Sequence, residues 1–351
     1  MTILAIDLGK FQSQACFFES EDATHAFQRV ATSPAAIEKL LSQRKIDRLV
    51  IEVSHLAGWV ADLARKIGIK VQVANANHEA WRWKNVKNKS DKQDALKLAR
   101  LSAMNQLSLV HVPQQKVRQW RSLIQYRQTL VERRTAIRNA IHALLGSAGE
   151  PDTKSFGKEA IAQLQTSARE LSQCGADELW RGQLHVELGA LAQVQELIEQ
   201  VQQKLDAVAA QDPRVELLQS IPGVGPRLAE MVVAQIDDPK RFKNARQVGA
   251  YAGLTPRRYQ SGESDRSGRI SRCGSGTLRK LLVQVAWGML QYNPQGNAIF
   301  QRLCKGQKTR RKQAAVALAR RILVWCWAML RDNQRWQAHK VTARSMSVAA
   351  A

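Results

Sequence analysis

The first hundred residues carry short apolar runs separated by turn residues. Residues 2–8, 11–18 and 25–31 read as three short strands, with Gly9-Lys10 as the tight turn between the first two. A helical stretch follows from Ser33 to Gln43, then a buried strand at 47–54 (DRLVIEVS) and a helix at 56–67. A strand at 69–75 (IKVQVAN) and a helix at 90–105 complete the region. Three adjacent strands followed by alternating helices and strands predict a mixed α/β sheet.

From about residue 116 to 210 the strand pattern stops. Leu123, Leu130, Ile137 and Leu144 recur at heptad spacing, and a second seam runs through Leu184, Leu188, Leu191, Val194, Ile198, Val201, Leu205 and Val208. This spacing predicts long paired helices, either a coiled coil between protomers or a helical hairpin within one chain. Between the seams, GSAGEPDTKSFGKE (146–159) has the composition of a linker. Beyond Pro213 come glycine-rich turns, basic clusters and apolar helices. The predicted organisation is therefore an α/β domain at 1–110, a helical connector at 111–212, a mainly α domain at 213–336 and a frayed tail at 337–351.

Charge sharpens this picture. The 351-residue chain has a formal net charge of +23, while 44% of its residues are hydrophobic. That is enough apolar material for sizeable cores, and it excludes a disordered basic tail. A protein this basic attracts polyanions and releases counterions on binding them, so nucleic acid is the leading partner. Between Lys240 and Arg335 there are 21 Lys and Arg against Glu263, Asp265 and Asp332, which places most of the excess in the last third. The five cysteines are scattered with no CxxC pair, against a disulfide framework or zinc site and in keeping with a reducing cytoplasm. Asp7 and Lys10 interrupt the N-terminal apolar stretch, and Arg320 and Arg321 the C-terminal one, so neither a signal peptide nor a membrane span is expected.

Asp7 is out of place in its apolar strand, LAIDLGK, because an isolated buried carboxylate is costly to desolvate. Glu52 ends a later strand, and Asp91 and Asp94 lie three apart in NKSDKQDALKLA, on one face of a helix. Singly each is a weak signal. Together, two strand carboxylates and two on a following helix match the layout of an RNase H-like sheet. Four crowded carboxylates repel one another unless divalent cations neutralise them, and hard oxygen donors suit Mg²⁺ or Mn²⁺. Paired metals of this kind clamp the attacking and leaving oxygens of a phosphoryl transfer.

SIPGVGPRLAEMVVAQI (220–236) has the form of a helix-hairpin-helix. Gly223 and Gly225 let the backbone approach closely, and the amides opening the next helix can bind a DNA phosphate without reading bases. In GAYAGLTPRRYQSGESDRSGRISRCGSGTLRK (249–280), Arg257, Arg258, Arg266, Arg269, Arg272, Arg279 and Lys280 are interspersed with Ser, Thr and Gly, as a loop wrapped around phosphates requires. Trp81, Arg82, Trp83, Lys84, Lys87 and Lys89 interleave aromatic and basic residues, which fits either stacking on unpaired RNA or buried tryptophans with a solvated basic edge. Ser261, Ser264, Ser267, Ser271 and Ser275 are all potential nucleophiles, and spacing does not choose among them.

The Asp7, Glu52, Asp91, Asp94 set, followed by PGVG and GLTPRRYQSG, resembles the DEDD transposases of the IS110 and IS1111 insertion-sequence groups, relatives of the Piv DNA invertases. The likeness runs from Asp7 to about residue 335. It departs locally where Val53, Ser54 and His55 follow Glu52 and where Ala5 replaces a usual glycine. The resemblance implies a RuvC-like N-terminal domain holding Mg²⁺ on Asp7, Glu52, Asp91 and Asp94, a coiled-coil connector, and a C-terminal transposase domain with Ser261 as nucleophile. It further implies a bacterial, nucleoid-associated recombinase that acts on donor and target DNA, is guided by a noncoding bridge RNA, and works as homodimers pairing into a homotetramer. In that arrangement the acidic cluster of one protomer is completed by the serine of another. Two other readings compete: a metal-only nuclease of the junction-resolvase kind, with water as nucleophile, and a noncatalytic RNA-binding scaffold.

Overall fold

The structure is a computed structural model and describes residues 1–75, 90–262 and 264–338. It falls into two compact units, Met1–Gln119 and Trp120–Ala351.

In the first unit, β1 (Thr2–Asp7), β2 (Gln12–Glu19), β3 (His25–Ala31), β4 (Arg48–Glu52) and β5 (Lys70–Ala74) form a five-stranded sheet of order β3-β2-β1-β4-β5. β1, β2 and β3 pair antiparallel, whereas β1, β4 and β5 run parallel. The sheet is therefore mixed, as the sequence predicts. Its central strands are apolar on both sides because helices cover both faces. Leu4, Ile6, Leu49 and Ile51 pack against Ile37 and Leu40 of α1 (Pro34–Ser42) and Val60 and Ala61 of α2 (Ala57–Lys66). Ile3, Ala5, Cys16 and Val50 pack against Ala95, Leu98 and Ala99 of α3 (Asp91–Ala103) on the other face. Trp81, Arg82, Trp83, Lys84, Lys87 and Lys89 lie outside the described residues.

Helices dominate the second unit. α4 (Gln115–Ala148) begins in the first unit, continues into the second, and is about 50 Å long at 1.5 Å per residue. It lies antiparallel to α6 (Leu179–Ala210): Arg127 Nη2 donates to Gln202 Oε1 and Arg134 Nη1 to Gln195 Oε1, each at 3.0 Å. At one end of the pair, Ile141 and Leu145 meet Leu184, Leu188 and Leu191, with Leu164 of α5 (Lys158–Ser167) beside them. At the other end, Trp120, Ile124, Leu205 and Ala209 join the main core. The α6 seam matches its predicted positions. In α4 the deeply buried stripe is instead Trp120, Ile124, Leu130, Ile141 and Leu145, with Leu123, Ile137 and Leu144 half-buried beside it, so the helix turns a different set of residues inward than a strict heptad would. The linker composition holds between α4 and α5, but it gives no sign of α5 itself.

The main core gathers α7 (Pro213–Gln219), α8 (Pro226–Ile236), α9 (Ala245–Tyr251), α10 (Gly276–Tyr292), α11 (Pro294–Cys304) and α12 (Arg311–Asp332). The segment Lys308–Asp332 is the one described stretch long and apolar enough to cross a membrane, and its apolar window is 61% buried against the rest of the chain. Its apolarity serves that core: Leu318, Ile322, Cys326 and Trp327 are all buried, and Trp327 Nε1 donates to the Pro239 carbonyl at 2.9 Å.

One expectation is corrected in this unit. The arginine-rich stretch around Ser261 is a two-stranded antiparallel hairpin, β6 (Pro256–Ser261) and β7 (Ser264–Ile270), rather than an irregular loop. Nearly every residue on both strands is exposed, so no apolar alternation marks them as strands.

Candidate active site

The strand register builds a rung of polar residues across the first sheet. Asp7 is aligned with Gln14 of β2, and Gln14 with Arg29 of β3. Along the parallel pair, Ile6 is level with Ile51, which brings the next residues, Asp7 and Glu52, to the carboxyl ends of adjacent strands about 4.8 Å apart. Side chains alternate faces along a strand, and Asp7, Gln14 and Glu52 lie two residues from Ala5, Cys16 and Val50. They therefore share the face covered by α3.

α3 supplies the other two acids. Its start is fixed by Ser90, whose Oγ accepts the Gln93 N–H at 3.4 Å, and Asp91 and Asp94 fall in the first turn, where the helix dipole favours negative charge. Asp91 is exposed and lines a cleft of about 100 Å³ together with Asp7, Gly9, Gln12, Ser13, Gln14 and Arg29. A shallower basin of about 550 Å³ continues outward along Phe27, Arg29, Ser90 and Lys92. Asp94 is turned inward beside Ala95 and Leu98 and is only 6% exposed. Asp7, Glu52 and Asp94 each have an interaction partner.

Among the described residues, no three Asp, Glu, His or Cys side chains stand close enough together to cage a metal ion. Asp7 and Asp91 flank one cleft, Glu52 ends the strand next to Asp7, and Asp94 lies beneath. The donor chemistry still fits a hard divalent cation, since every acid offers carboxylate oxygen and Gln14 adds an amide. Gln14 and Arg29 were not singled out from the sequence. The signal available was the two-residue period of β2 and β3, which puts them on the face of Asp7.

In the second unit, Ser261 pairs with Ser264 at the end of the hairpin, and Gly262 turns the chain with φ 54°. Tyr259 and its partner Arg266 share the face of Ser261, the Tyr259 ring lying over Gly268. Arg258 is on the opposite face in a two-point ion pair with Asp265, with contacts of 2.8 and 2.5 Å. That pair holds the Asp265 carboxyl below its usual range and the Arg258 guanidinium above. Arg257 reaches the Ser271 carbonyl at 3.4 Å. Ser267 and Ser271 lie farther along, and Ser275 caps α10 by accepting the Leu278 N–H. Thus Ser261 and Ser264 are the two hydroxyls at the hairpin tip.

The base of the hairpin is tightly built. Gly253 has φ 65°, and a Cβ there would stand 2.3 and 2.4 Å from the Cys273 carbonyl oxygen and nitrogen, so no other residue fits without backbone movement. Arg279 Nη1 donates to the carbonyls of Ala252, Cys273 and Gly274 at 3.1, 2.5 and 3.2 Å, tying α9 to the segment after β7. Arg272, with φ 57°, is exposed, as are Arg266 and Arg269. Lys280 pairs with Glu132 at 3.2 Å.

The PGVG turn joins α7 to α8. Gly223 has φ 93° and packs against Met289 of α10, where a Cβ would lie 3.2 Å from the Met289 Cα. Gly225 caps α8 and faces open space. The Asn293 side chain anchors the turn from below, donating to the Pro222 carbonyl at 3.2 Å and accepting the Gly296 N–H at 3.0 Å.

Fold and cleft together define a protein with a mixed α/β domain of RNase H-like layout that carries an acidic cleft, and a basic, mainly helical domain. A transposase family profile of the DEDD, IS110 type matches residues 4–149, and the profile described as "Transposase IS116/IS110/IS902 family" matches residues 215–301. The chain is 28% identical over 343 residues to the transposase for insertion sequence element IS1111A of Coxiella burnetii, covering 95% of this chain and 91% of that protein. It is 31% identical over 249 residues to a probable family 20 transposase of Pseudomonas aeruginosa, covering 69% and 73%. Over 146 residues it is 30% identical to the pilin gene-inverting protein of Moraxella bovis, covering 40% and 44%. The chain belongs to the IS110/IS1111 family of insertion-sequence transposases.

Proposed function

We propose that this transposase cuts and rejoins DNA at the ends of an insertion sequence through a covalent link to Ser261. The observation that carries the reading is the rung that sets Asp7 beside Glu52, with Asp91 lining the same cleft as Asp7. Asp7, Glu52, Asp91 and Asp94 would hold divalent cations, Mg²⁺ or Mn²⁺, which when bound supply Lewis-acid stabilisation of charge on the transferring phosphoryl group.

Ser261 Oγ attacks the scissile phosphorus. A P–Oγ bond forms, the bond to the departing strand's oxygen breaks, the serine proton passes to a carboxylate, and the leaving oxygen takes up a proton. The phosphodiester is conserved as a phosphoserine link. Attack by the hydroxyl of a second strand end then releases Ser261 and joins the new strands without ATP. Exposure at the tip of a basic hairpin supports Ser261 in this role over Ser267, Ser271 and Ser275; the family resemblance favours it over Ser264.

Arg257, Arg266, Arg269 and Arg272 hold DNA phosphates around the hairpin. Arg258, Arg279 and Lys280, which have protein partners, contribute by exchanging those partners for phosphate. Gly223 and Gly225 let the backbone at the start of α8 approach a further phosphate. The acids and Ser261 belong to different compact units, and the family resemblance favours an assembly in which one protomer of a dimer or tetramer supplies the serine to another's cleft. Selection of donor and target by a guide RNA follows from the family resemblance.

An excision assay in cells, with a donor plasmid carrying the complete element including its noncoding ends, tests the reading. Ser261→Ala, Asp7→Asn and Asp91→Asn are each expected to abolish excision while Ser264→Ala retains it. Excision by Asp7→Asn at the parental level would overturn the reading.

A further inference from the structure

From Arg266 to Arg331 the chain contains fourteen Lys and Arg and not one Asp or Glu. Elsewhere in the second unit basic side chains find acids: Arg214 pairs with Asp212, Arg227 with Asp206 and Glu230, and Arg335 with Glu216. Among the described residues, the corner between α11 and α12 has no such partners. α11 ends at Cys304, Lys305 (φ 48°) and Gly306 (φ 71°) turn the chain, and a short 3-10 turn at Lys308–Arg310 leads into α12. Lys305, Lys308 and Lys312 are exposed here and, among the described residues, make no ion pair or side-chain hydrogen bond.

On α12, half-buried Arg321 has Arg302 and Arg320 as its charged neighbours and, among the described residues, no carboxylate acting on it. Burial, then Arg302 and Arg320, press its guanidinium below the usual range. Holding like charges together opposes folding, and a bound anion relieves it. Aromatic surface lies alongside: Arg311 stands 5.8 Å from the ring centres of both Trp287 and Phe300, and Trp287 is 37% exposed. Unpaired cations beside an exposed ring are the chemistry of a nucleic-acid strand, with phosphates on the cations and a base against Trp287.

We propose that the α11–α12 corner, with Arg302, Lys305, Lys308, Lys312 and Arg321, is a second nucleic-acid surface, separate from the serine hairpin, that grips a phosphodiester backbone. This surface depends on neither the metal nor the serine chemistry.

The test uses the full-length protein in EDTA, with fluorescence anisotropy on a duplex DNA and on a hairpin RNA of matched length over a series of salt concentrations. The Lys305→Ala/Lys308→Ala/Lys312→Ala variant is expected to melt at the parental temperature and to lose affinity by more than about tenfold. Its log-log salt slope should fall by roughly 0.9 for each duplex phosphate the variant no longer neutralises, and about 0.7 on single strands. Arg302→Gln, tested separately, is expected to act in the same direction. A loss confined to duplex assigns the surface to DNA, and a loss confined to the hairpin assigns it to RNA. Affinity within about twofold of the parent and an unchanged slope on both probes would overturn the proposal.

Discussion

Asp7 ends an apolar strand on the sheet face where Gln14, Arg29 and Glu52 meet it in register. The candidate carboxylates stood out in the sequence because an acid in an apolar strand is costly to bury without a partner. Arg29 did not, since an exposed arginine on an edge strand looks like any solvated charge until the register places it beside the acids. Arg29 lines both the cleft and the basin next to Asp91, and a guanidinium there offers paired donors suited to a phosphate. Arg29→Ala is expected to slow strand cleavage about 10- to 100-fold, in the range seen for side chains that orient a metal site, with Arg29→Lys partly restoring it. Single-turnover cleavage on a nicked substrate reads this, and an unchanged rate would remove Arg29 from the site.

Glu230 gives a second test at this scale. It is 1% exposed on α8, Arg227 lies 3.1 Å from one of its oxygens, and the other oxygen has no hydrogen-bond partner. Burial, opposed by Arg227 and Arg127, pushes its carboxyl up to about 7. The folded protein thus holds the proton more tightly than the unfolded chain. The resulting stability is fully present below the unfolded value near 4.5 and is lost as pH rises through about 7. Each pH unit in that window is worth up to about 1.4 kcal/mol. Urea denaturation from pH 5 to pH 8 should show that decline in the parent and a flatter profile in Glu230→Gln. Parallel profiles would contradict the assignment.

At the scale of elements, the sheet was readable because its strands are apolar on both faces, and α6 because its seam keeps three- and four-residue spacing. The hairpin that carries Ser261 was not, because both of its faces meet solvent and no apolar period marks them. What the sequence did carry was its base, in the glycines of GLTP and RCGSG. Gly253 lies in the left-handed region against the Cys273 backbone, so Gly253→Ala forces both a strained φ and a backbone shift. A loss of about 2 to 4 kcal/mol in urea denaturation is expected, against well under 1 for Gly225→Ala, whose Cβ meets open space. Equal losses at the two positions would show that the hairpin base is not held this closely.

For the whole molecule, nucleic-acid chemistry was evident from charge and its concentration in the last third. The internal arrangement of the helices was less so. The paired helices α4 and α6 bury their seams against each other and against the cores at both ends, a choice that heptad spacing leaves open because the same pattern serves partners within or between chains. The account rests on acids in one unit and a hydroxyl in the other acting on one phosphate. Its most direct measurement is trapping on a nicked suicide substrate with Mg²⁺, followed by mass spectrometry of the peptide joined to DNA. The account predicts a phosphodiester on Ser261, absent from Ser261→Ala, from Asp7→Asn and from the parent in EDTA. Strand cleavage at the parental rate by Ser261→Ala with no protein-linked DNA would contradict it, and would leave water as the nucleophile.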